Sequence, residues 1–364
     1  MRRLGWAAFI WPYIEAGLPS RAPRREISRC SFVRKLLSLV TLLALGSSLA
    51  ACGSGGSNAG GDFGKAGIKV TADFGQKPTV THRTGAPDKS LVTEVLKQGD
   101  GAVVKKGELL TANYLGQIWR DGKVFDNSYD RGAPSSFPIG IGGVIAGWDE
   151  GLVGQKLGSR VLLSIPSDKG YQAAGNTQAG IKGDDTLIFV VDLISAAAND
   201  TPLDANPVAA PATPFKVTGP LNAEPKVTVP AGTKPPAKPG KPVVIATGKG
   251  KPVAAGDQPI GRYVVYDYTG KKQASTWDGQ PASTTAPAQP GAPTELPQIG
   301  PVGGQSGALD GLAGVPIGSR VLIELPPQTD TTTKKVTQAF AVIDILNAFP
   351  APKQVPTTTP TPSN

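Results

Sequence analysis

Residues 112–195 of this chain contain a series of short motifs that recurs in the same order in residues 266–346. The first copy reads ANYLG, GKVFDNS, VIAGWDEGLVGQKLGSRVLLSIP and TLIFVVDLI, and the second reads YDYTG, GKKQAST, SGALDGLAGVPIGSRVLIELPP and AFAVIDIL. Two copies of one fold must both tolerate the residues that they carry at matched positions. Shared positions therefore indicate what folding requires, and the remaining positions indicate what one copy adds. The pattern predicts two similar domains with a single working site.

The first copy has the residue pattern of an α+β domain with an antiparallel sheet. Alternating and β-branched residues predict strands at 92–96, 108–114, 160–165 and 187–194. Asp121-Gly122 is typical of the turn of a β-hairpin between Gln117–Trp119 and Val124–Phe125. A single short helix is predicted from Trp148 to Gln155, stopped by Gly158.

The two copies share polar and glycine positions but differ at aromatic ones. The shared positions are Gly158 to Val161 with Gly318 to Val321, Asp192 with Asp344, and, by their letters, Tyr114 with Tyr268 and Gly116 with Gly270. The altered positions are Phe125 to Gln273, Asp126 to Ala274, Trp148 to Ala308 and Phe189 to Ala341. Losing a buried Phe or Trp to Ala costs about 3–5 kcal/mol. We therefore expect these rings to line a concave surface, with Tyr114 retaining a structural share.

Residues 90–197 resemble an FK506-binding-type peptidyl-prolyl cis-trans isomerase domain. The motifs GKVFDNS, VIAGWDEGL and GSRVLLSIP and the pair Gly170-Tyr171 follow one another in family order. The resemblance implies a twisted antiparallel β-sheet wrapped on one short α-helix, with a proline pocket between them. The second copy is then a degenerate domain of the same kind, and the fold class is α+β in both.

Carried over motif by motif, the resemblance implies a proline-binding cup. Its catalytic residues would be Tyr114, Phe125, Asp126, Trp148, Tyr171 and Phe189, and its further substrate contacts Phe137, Val144, Ile145 and Ile181. Trp148 is the implied floor, Tyr171 the implied donor to the substrate carbonyl, and Arg131 the implied partner of Asp126. Ser135 stands where the family often has an aromatic residue, so we expect one wall to be more open. FK506- or rapamycin-type macrolides are implied ligands besides proline-containing segments.

The scarcity of reactive residues excludes other chemistries. The chain has one His, His82, in TVTHRTG, without a nucleophile motif nearby, and two Cys in all. One His and two Cys are too few for a metal site built from these residues. The glycine-rich segment GIGGVIAG lacks the Lys-Ser/Thr of a phosphate-binding loop. Rotation about an Xaa-Pro bond needs no covalent chemistry. We therefore expect neither a metal nor a cofactor.

The basic charge of the chain is concentrated near its N-terminus. Residues 1–51 hold eight Lys/Arg and two Asp/Glu, so the overall charge of +9 falls to +3 for the remaining 29 basic and 26 acidic residues. A nucleic-acid partner is therefore not expected. Arg34-Lys35, the apolar run from Leu36 to Leu45 and a small-residue site describe a secretory signal.

The end of that signal indicates a lipid anchor. Leu49-Ala50-Ala51-Cys52 resembles the bacterial lipobox, which implies lipidation of Cys52 and an extracytoplasmic protein held on the cell membrane. The alternative is an ordinary secretory signal with a chance cysteine. If translation begins at Val33, residues 1–32 do not belong to the protein, and Cys30 is lost with them. The mature chain would then have one cysteine and no intramolecular disulfide.

These patterns divide the chain into segments. The expected segments are a signal at 1–51, a flexible tether at 52–66, a catalytic domain at 67–197, a linker at 198–214, a degenerate domain at 215–349 and a disordered tail at 350–364. The Pro-rich stretches 229–242 and 280–297 are expected to be mobile loops. We expect a monomeric prolyl isomerase that acts on exported proteins. The alternative is a non-catalytic chaperone or scaffold that grips proline-containing segments.

Overall fold

A computed structural model describes residues 64–279, 290–299, 309–329 and 336–352. The expected signal, Cys52, Ala308 and the tail beyond residue 352 lie outside the described residues. Over the described ranges, no helix is both long enough and apolar enough to cross a membrane.

The first copy forms a six-stranded antiparallel sheet with one helix, preceded by a separate hairpin. The elements are β1 (Ile68–Thr71), β2 (Thr79–His82), β3 (Val92–Lys97), β4 (Leu109–Ile118), β5 (Val124–Asn127), β6 (Ser135–Pro138), α1 (Ala146–Leu152), β7 (Arg160–Ile165) and β8 (Leu187–Ala197). The strand order is β3-β7-β8-β4-β5, and β6 pairs with the start of β4. The predicted strands and the predicted hairpin at residues 117–125 are confirmed, and β4 and β8 run further than predicted.

The central strands of this sheet are buried on both faces. All six residues of β7 and the first seven of β8 are buried. The concave face packs under α1 around Trp148 and Leu163, while the convex face is covered by the hairpin β1–β2 through Ile68 and Val80. Burial on two faces explains why these strands read as continuous apolar runs.

Helix α1 begins and ends earlier than the sequence predicted. It runs from Ala146 to Leu152 because Val153 is extended and Gly154 has a φ of +89°, which breaks the helical hydrogen bonding before Gln155. Its glycines bring it close to β7, since a Cβ on Gly147 would lie 2.5 Å from Ile165 and one on Gly151 would lie 2.6 Å from Leu163. The short helix is thereby pressed into the concave face of the sheet.

The second copy repeats the sheet, and over its described residues it contains strands and one 3₁₀ turn. Its strands are β9 (Ala205–Pro207), β10 (Lys216–Thr218), β11 (Lys226–Thr228), β12 (Val243–Gly248), β13 (Asp257–Asp267), β14 (Lys272–Ser275), β15 (Thr294–Glu295), β16 (Arg320–Glu324), β17 (Gln328–Thr329), β18 (Val336–Thr337) and β19 (Ala339–Pro350). Seven of them form one sheet in the order β14-β13-β19-β16-β12-β9, with β15 on β13. A 3₁₀ turn at Asp310–Leu312 lies where α1 lies in the first copy.

The repeat extends upstream to a hairpin that motif matching missed. Residues 68–80 (IKVTADFGQKPTV) align without a gap with residues 215–227 (FKVTGPLNAEPKV), and both form hairpins of equal register. The hairpin β10–β11 covers the convex face of its sheet as β1–β2 does, with Phe215 against Phe340 at 4.3 Å between ring centroids. Each repeat is thus a hairpin followed by a sheet.

A buried Arg-Asp pair fastens each hairpin to its sheet. Arg160 Nε and Nη2 donate to Asp192 at 2.6 and 2.8 Å, and its Nη1 and Nη2 donate to the carbonyls of Ala72 and Gln76 at 2.5 and 2.7 Å. Arg320 pairs with Asp344 at 2.6 and 2.9 Å and likewise reaches two carbonyls of the second hairpin turn. The shared GSR motif is therefore part of the framework.

Several segments expected to lack structure are partly ordered into the sheets. The expected linker 198–214 contains β9, which pairs with β12, and Leu203, whose side chain is buried. In the expected loop 280–297, β15 pairs with β13; residues 280–289 are outside the described residues. The expected tether ends in a buried Ala66, and the expected tail begins inside β19 at Pro350. The prediction from composition was wrong for these segments because neighbouring strands supply hydrogen bonds and apolar contacts that a local sequence pattern does not reveal.

Candidate active site

The apolar residues predicted for the cup lie in one cluster on the concave face of the first sheet. Four of them are buried and form its base, namely Tyr114, Trp148, Ile181 and Phe189. Five more pack against the base while remaining half-exposed: Phe125, Phe137, Val144, Ile145 and Tyr171. The arrangement is a closed apolar floor with a partly open rim.

The aromatic rings meet edge to face around Trp148. Its centroid lies 5.5 Å from Tyr114, 5.0 Å from Phe137 and 5.3 Å from Phe189. The ring of Phe125 extends the wall beyond Phe189 at 5.6 Å. Edge-to-face packing is a favourable geometry for aromatic pairs, and it holds the rings at steep angles to one another. Among the described residues, the buried Trp148 Nε1 has no hydrogen-bond acceptor.

One edge of the cluster is polar and internally neutralised. The Tyr114 hydroxyl donates a short hydrogen bond to Asp126, and Arg131 Nη1 donates to the other carboxylate oxygen at 2.5 Å. Arg131 Nη2 also donates to Tyr114 Oη at 2.7 Å and to Ser135 Oγ at 3.3 Å. The predicted pairing of Arg131 with Asp126 is therefore present. Ser135, where an aromatic was expected in relatives, instead helps to hold the arginine.

Both tyrosines of the cluster remain protonated well above neutral pH. Burial raises the pKa of Tyr114, and the hydrogen bond to Asp126 raises it further. Burial also raises the pKa of Tyr171, partly offset by a hydrogen bond from the Asn176 side chain. A phenol that accepts one hydrogen bond can still donate its own proton. Tyr171 is thus available as a donor at the rim, whereas the proton of Tyr114 is already committed.

Gly116 makes room for two of the rings and was not identified as a site residue. A Cβ at this position would lie 2.7 Å from Phe125 Cζ and 2.8 Å from Phe189 Cε1. A glycine inside a strand often marks such a close approach, so the signal was present in the ANYLG motif. Gly116 therefore belongs to the site although it carries no side chain.

The strand register corrects the matching of the two copies. Tyr114 pairs with Val191, next to Asp192, and Tyr263 pairs with Ile343, next to Asp344. Tyr114 N–H donates to Ser128 Oγ at 2.9 Å, and Tyr263 N–H donates to Thr276 Oγ1 at the same distance. Tyr263, not Tyr268, is therefore the counterpart of Tyr114. The same register places Val265, not Gly270, at the position of Gly116.

The second copy carries an additional side chain beside the positions of its missing rings. Its register sets Ala274 opposite Val265 as Asp126 is set opposite Gly116, and Ala341 opposite Val265 as Phe189 is opposite Gly116. Val265 supplies side-chain volume where Gly116 has none. In the second copy, the strand position beside the lost rings therefore carries a side chain that the first copy does not have.

The first sheet matches a known family over most of its length. A family model for FKBP-type peptidyl-prolyl cis-trans isomerase matches residues 101–194. An FK506-binding protein of Streptomyces anulatus is 38% identical over 120 residues, which are 33% of this chain and 97% of that protein. A probable FK506-binding protein of Corynebacterium glutamicum is 37% identical over 123 residues, 33% of this chain and 99% of the relative. An FK506-binding protein of Neisseria meningitidis serogroup A is 44% identical over 107 residues, which are 29% of this chain and 94% of that protein.

Proposed function

Because the chain belongs to the FKBP-type peptidyl-prolyl cis-trans isomerase family, we propose that its first domain, residues 67–197, accelerates rotation about Xaa-Pro bonds in exported proteins. The observation that carries the proposal is the ring cluster around Trp148, with its buried base and half-exposed rim. All the residues of the cup lie inside the part of the chain that the family model matches.

The reaction calls for a dry, shaped surface and no reactive group. Resonance keeps the amide planar against a rotation barrier of about 18–20 kcal/mol, and spontaneous exchange of Xaa-Pro bonds takes about 10–100 s. A proline ring seated on Trp148 would be held by Phe137 and Phe189 while the preceding carbonyl turns. The twisted amide is less polar than the planar one, so an apolar cup favours it over the ground state.

The polar residues have separate tasks in this mechanism. Both carboxylate oxygens of Asp126 already accept hydrogen bonds, one from Tyr114 and one from Arg131. We therefore assign Asp126 to ordering the wall, without proton transfer. Tyr171, which keeps its proton and lies at the rim, is the donor to the substrate carbonyl.

The activity can be tested on the whole chain with a short Xaa-Pro peptide. We expect catalysed isomerisation that an FK506-type macrolide inhibits, because relatives that this chain covers almost completely are named for FK506 binding. Binding of proline-containing segments without any acceleration would contradict the enzyme and favour the scaffold alternative.

We also propose that the protein is held on the outer side of the cell membrane by lipid on Cys52. The support is the signal-like segment that ends in Leu49-Ala50-Ala51-Cys52. A Cys52→Ser protein should move from the membrane fraction to the soluble fraction of exported proteins. Its retention in the membrane fraction would contradict the anchor.

A further inference from the structure

We propose that Arg120 is a positioning residue for the isomerase reaction, which fixes the loop carrying Ile181 against the hairpin that carries Phe125. The proposal rests on the proposed function of the first domain. Arg120 lies in the turn between β4 and β5, outside the ring cluster, so it would act through the walls of the cup and not by touching substrate.

The contact between Arg120 and the loop is a two-pronged ion pair. Arg120 Nε donates to Asp185 Oδ1 at 2.9 Å, and Nη2 donates to Asp185 Oδ2 at 3.2 Å and to the Gly180 carbonyl at 3.5 Å. The Asp185 side chain is only 2% exposed, whereas that of Arg120 is 39% exposed. A planar guanidinium that engages both oxygens defines direction as well as distance.

Asp185 in turn organises the loop on which Ile181 lies. Its Oδ2 accepts the backbone N–H of Lys182 at 2.7 Å, directly beside Ile181. Ile181 exchanges two backbone hydrogen bonds with Asn176, at 2.8 and 2.9 Å, and Asn176 contacts the Tyr171 hydroxyl. The ion pair therefore ends on a loop that supplies one base residue and one rim residue of the cup.

On the other side, Arg120 is anchored within the hairpin turn. Its Nη1 donates to Asp121 Oδ2 at 2.8 Å, and Asp121 Oδ1 accepts the Lys123 N–H at 3.0 Å. Lys123 immediately precedes β5, the strand of Phe125 and Asp126. One side chain thus connects the two separate backbone segments that border the cup.

The corresponding turn of the second copy has no arginine from which to make this connection. This turn closes with the Asp267 N–H donating to the Lys271 carbonyl, and is one residue shorter than the turn from Ile118 to Lys123. It carries Thr269 and no arginine. The framework pair Arg320–Asp344 is retained there, so the repeat keeps the ion pair that folding uses and does not keep the one at Arg120.

The test is a peptide isomerisation assay on the full chain with Arg120→Ala, Asp185→Asn, the double variant and Arg120→Lys. We expect Arg120→Ala to raise KM roughly five- to tenfold with kcat changed less than about twofold, because the walls stay present but are less well placed. The double variant should be no worse than the poorer single variant, and Arg120→Lys should recover part of the loss. Lys249→Ala is the matched control, since it removes the exposed Lys249–Asp204 pair of the second copy.

The outcomes separate this inference from the proposed function. An inactive unaltered chain overturns both. An active chain in which Arg120→Ala keeps the KM of the Lys249→Ala control overturns the role of Arg120 alone. So does a loss confined to kcat that matches the fraction of unfolded protein, because that is what a merely structural residue would produce.

Discussion

Gly116 and Val265 occupy the same place in the two sheets, and they mark the difference between a strand that backs a cup and one that does not. In the first copy the missing side chain leaves room for the rings of Phe125 and Phe189. In the second, Val265 lies beside Ala341 and Ala274. We therefore expect the function of the first copy to depend on the missing side chain at Gly116 as well as on the rings.

Gly116→Val should damage the site more than the fold. The new Cβ would lie within 2.8 Å of both rings, which must move from their present positions. We expect kcat/KM to fall at least about tenfold, with about 1–3 kcal/mol lost from the free energy of unfolding. Peptide isomerisation and denaturant titration measure the two effects. Val265→Gly is the control, and unchanged kcat/KM in Gly116→Val would contradict the assignment.

Tyr171 gives a prediction for pH dependence. Burial raises its pKa above the ordinary value of 10, so most of the hydroxyl groups keep their proton up to that pH. We expect kcat to be flat from about pH 6 to 9, since the proposed mechanism includes no proton transfer. Tyr171→Phe should lower kcat about fivefold, the worth of about one hydrogen bond, without changing that profile. A falling limb below pH 9 that Tyr171→Phe abolishes would show that the tyrosine titrates earlier.

Each repeat has one hairpin, at 68–82 in the first and at 216–228 in the second, and the two hairpins have the same structural role. Each covers the convex face of its sheet, and each is fastened through the carbonyls of its turn to a buried arginine. Asp192 additionally accepts the Gly75 N–H at 2.6 Å and the Tyr129 hydroxyl at 3.0 Å. The hairpin is therefore part of the folded repeat.

Arg160→Ala should be strongly destabilising because it leaves the Asp192 carboxylate buried without its cation. We expect about 3–5 kcal/mol to be lost from the free energy of unfolding, measured by denaturant titration. Arg320→Ala in the second copy should cost less, because Arg262 Nε still donates to Asp344 at 2.8 Å. Equal losses in the two variants would contradict this account of the buried pairs.

The elements that the sequence predicted well are those defined by their own residues. Strand β7 was predicted from Arg160 to Ile165 because this segment is rich in Val, Leu and Ile, and that range is confirmed. The cup residues were predicted from motifs that occur in the same order as in the family that the chain resembles. The predicted range of helix α1 was wrong at both ends. Glycine has a low helix propensity, so a segment that contains Gly147 and Gly151 does not define the ends of a helix by its own residues.

The parts that could not be predicted depend on pairing between distant strands. The sequence Tyr-x-Gly at 114–116 and 268–270 suggested that Tyr268 corresponds to Tyr114. The strand pairing instead places Tyr263 beside Ile343, as Tyr114 lies beside Val191, so Tyr263 is the counterpart. Strand β9 lies in a Pro- and Ala-rich stretch and forms because the edge of β12 is there to pair with. The ion pair of Arg120 with Asp185 joins residues 65 positions apart, which no local pattern reveals.

At the scale of the whole molecule, one architecture occurs twice, and the predicted ring cluster lies in the first copy. The second repeat keeps the hairpin, the sheet and the buried Arg-Asp pair, while the positions of Phe125, Asp126 and Phe189 carry Gln273, Ala274 and Ala341. The counterpart of Arg131 is Gly279, so the polar edge is gone as well. Tyr263 remains as the residue of that edge shared with the first copy.

The most direct test of a single site converts the first copy into the second at four positions in the full chain: Gly116→Val, Phe125→Gln, Asp126→Ala and Phe189→Ala. Because the second copy folds with these residues, the exchanged domain should fold, which circular dichroism would check. We predict that kcat/KM for Xaa-Pro isomerisation falls at least about 100-fold, a loss of about 2.7 kcal/mol of transition-state stabilisation. As a control in the second copy, Tyr263→Phe, at the position that matches Tyr114, should change kcat/KM less than about twofold. A folded four-residue variant that keeps most of the activity, or a Tyr263→Phe chain that loses it, would contradict the account.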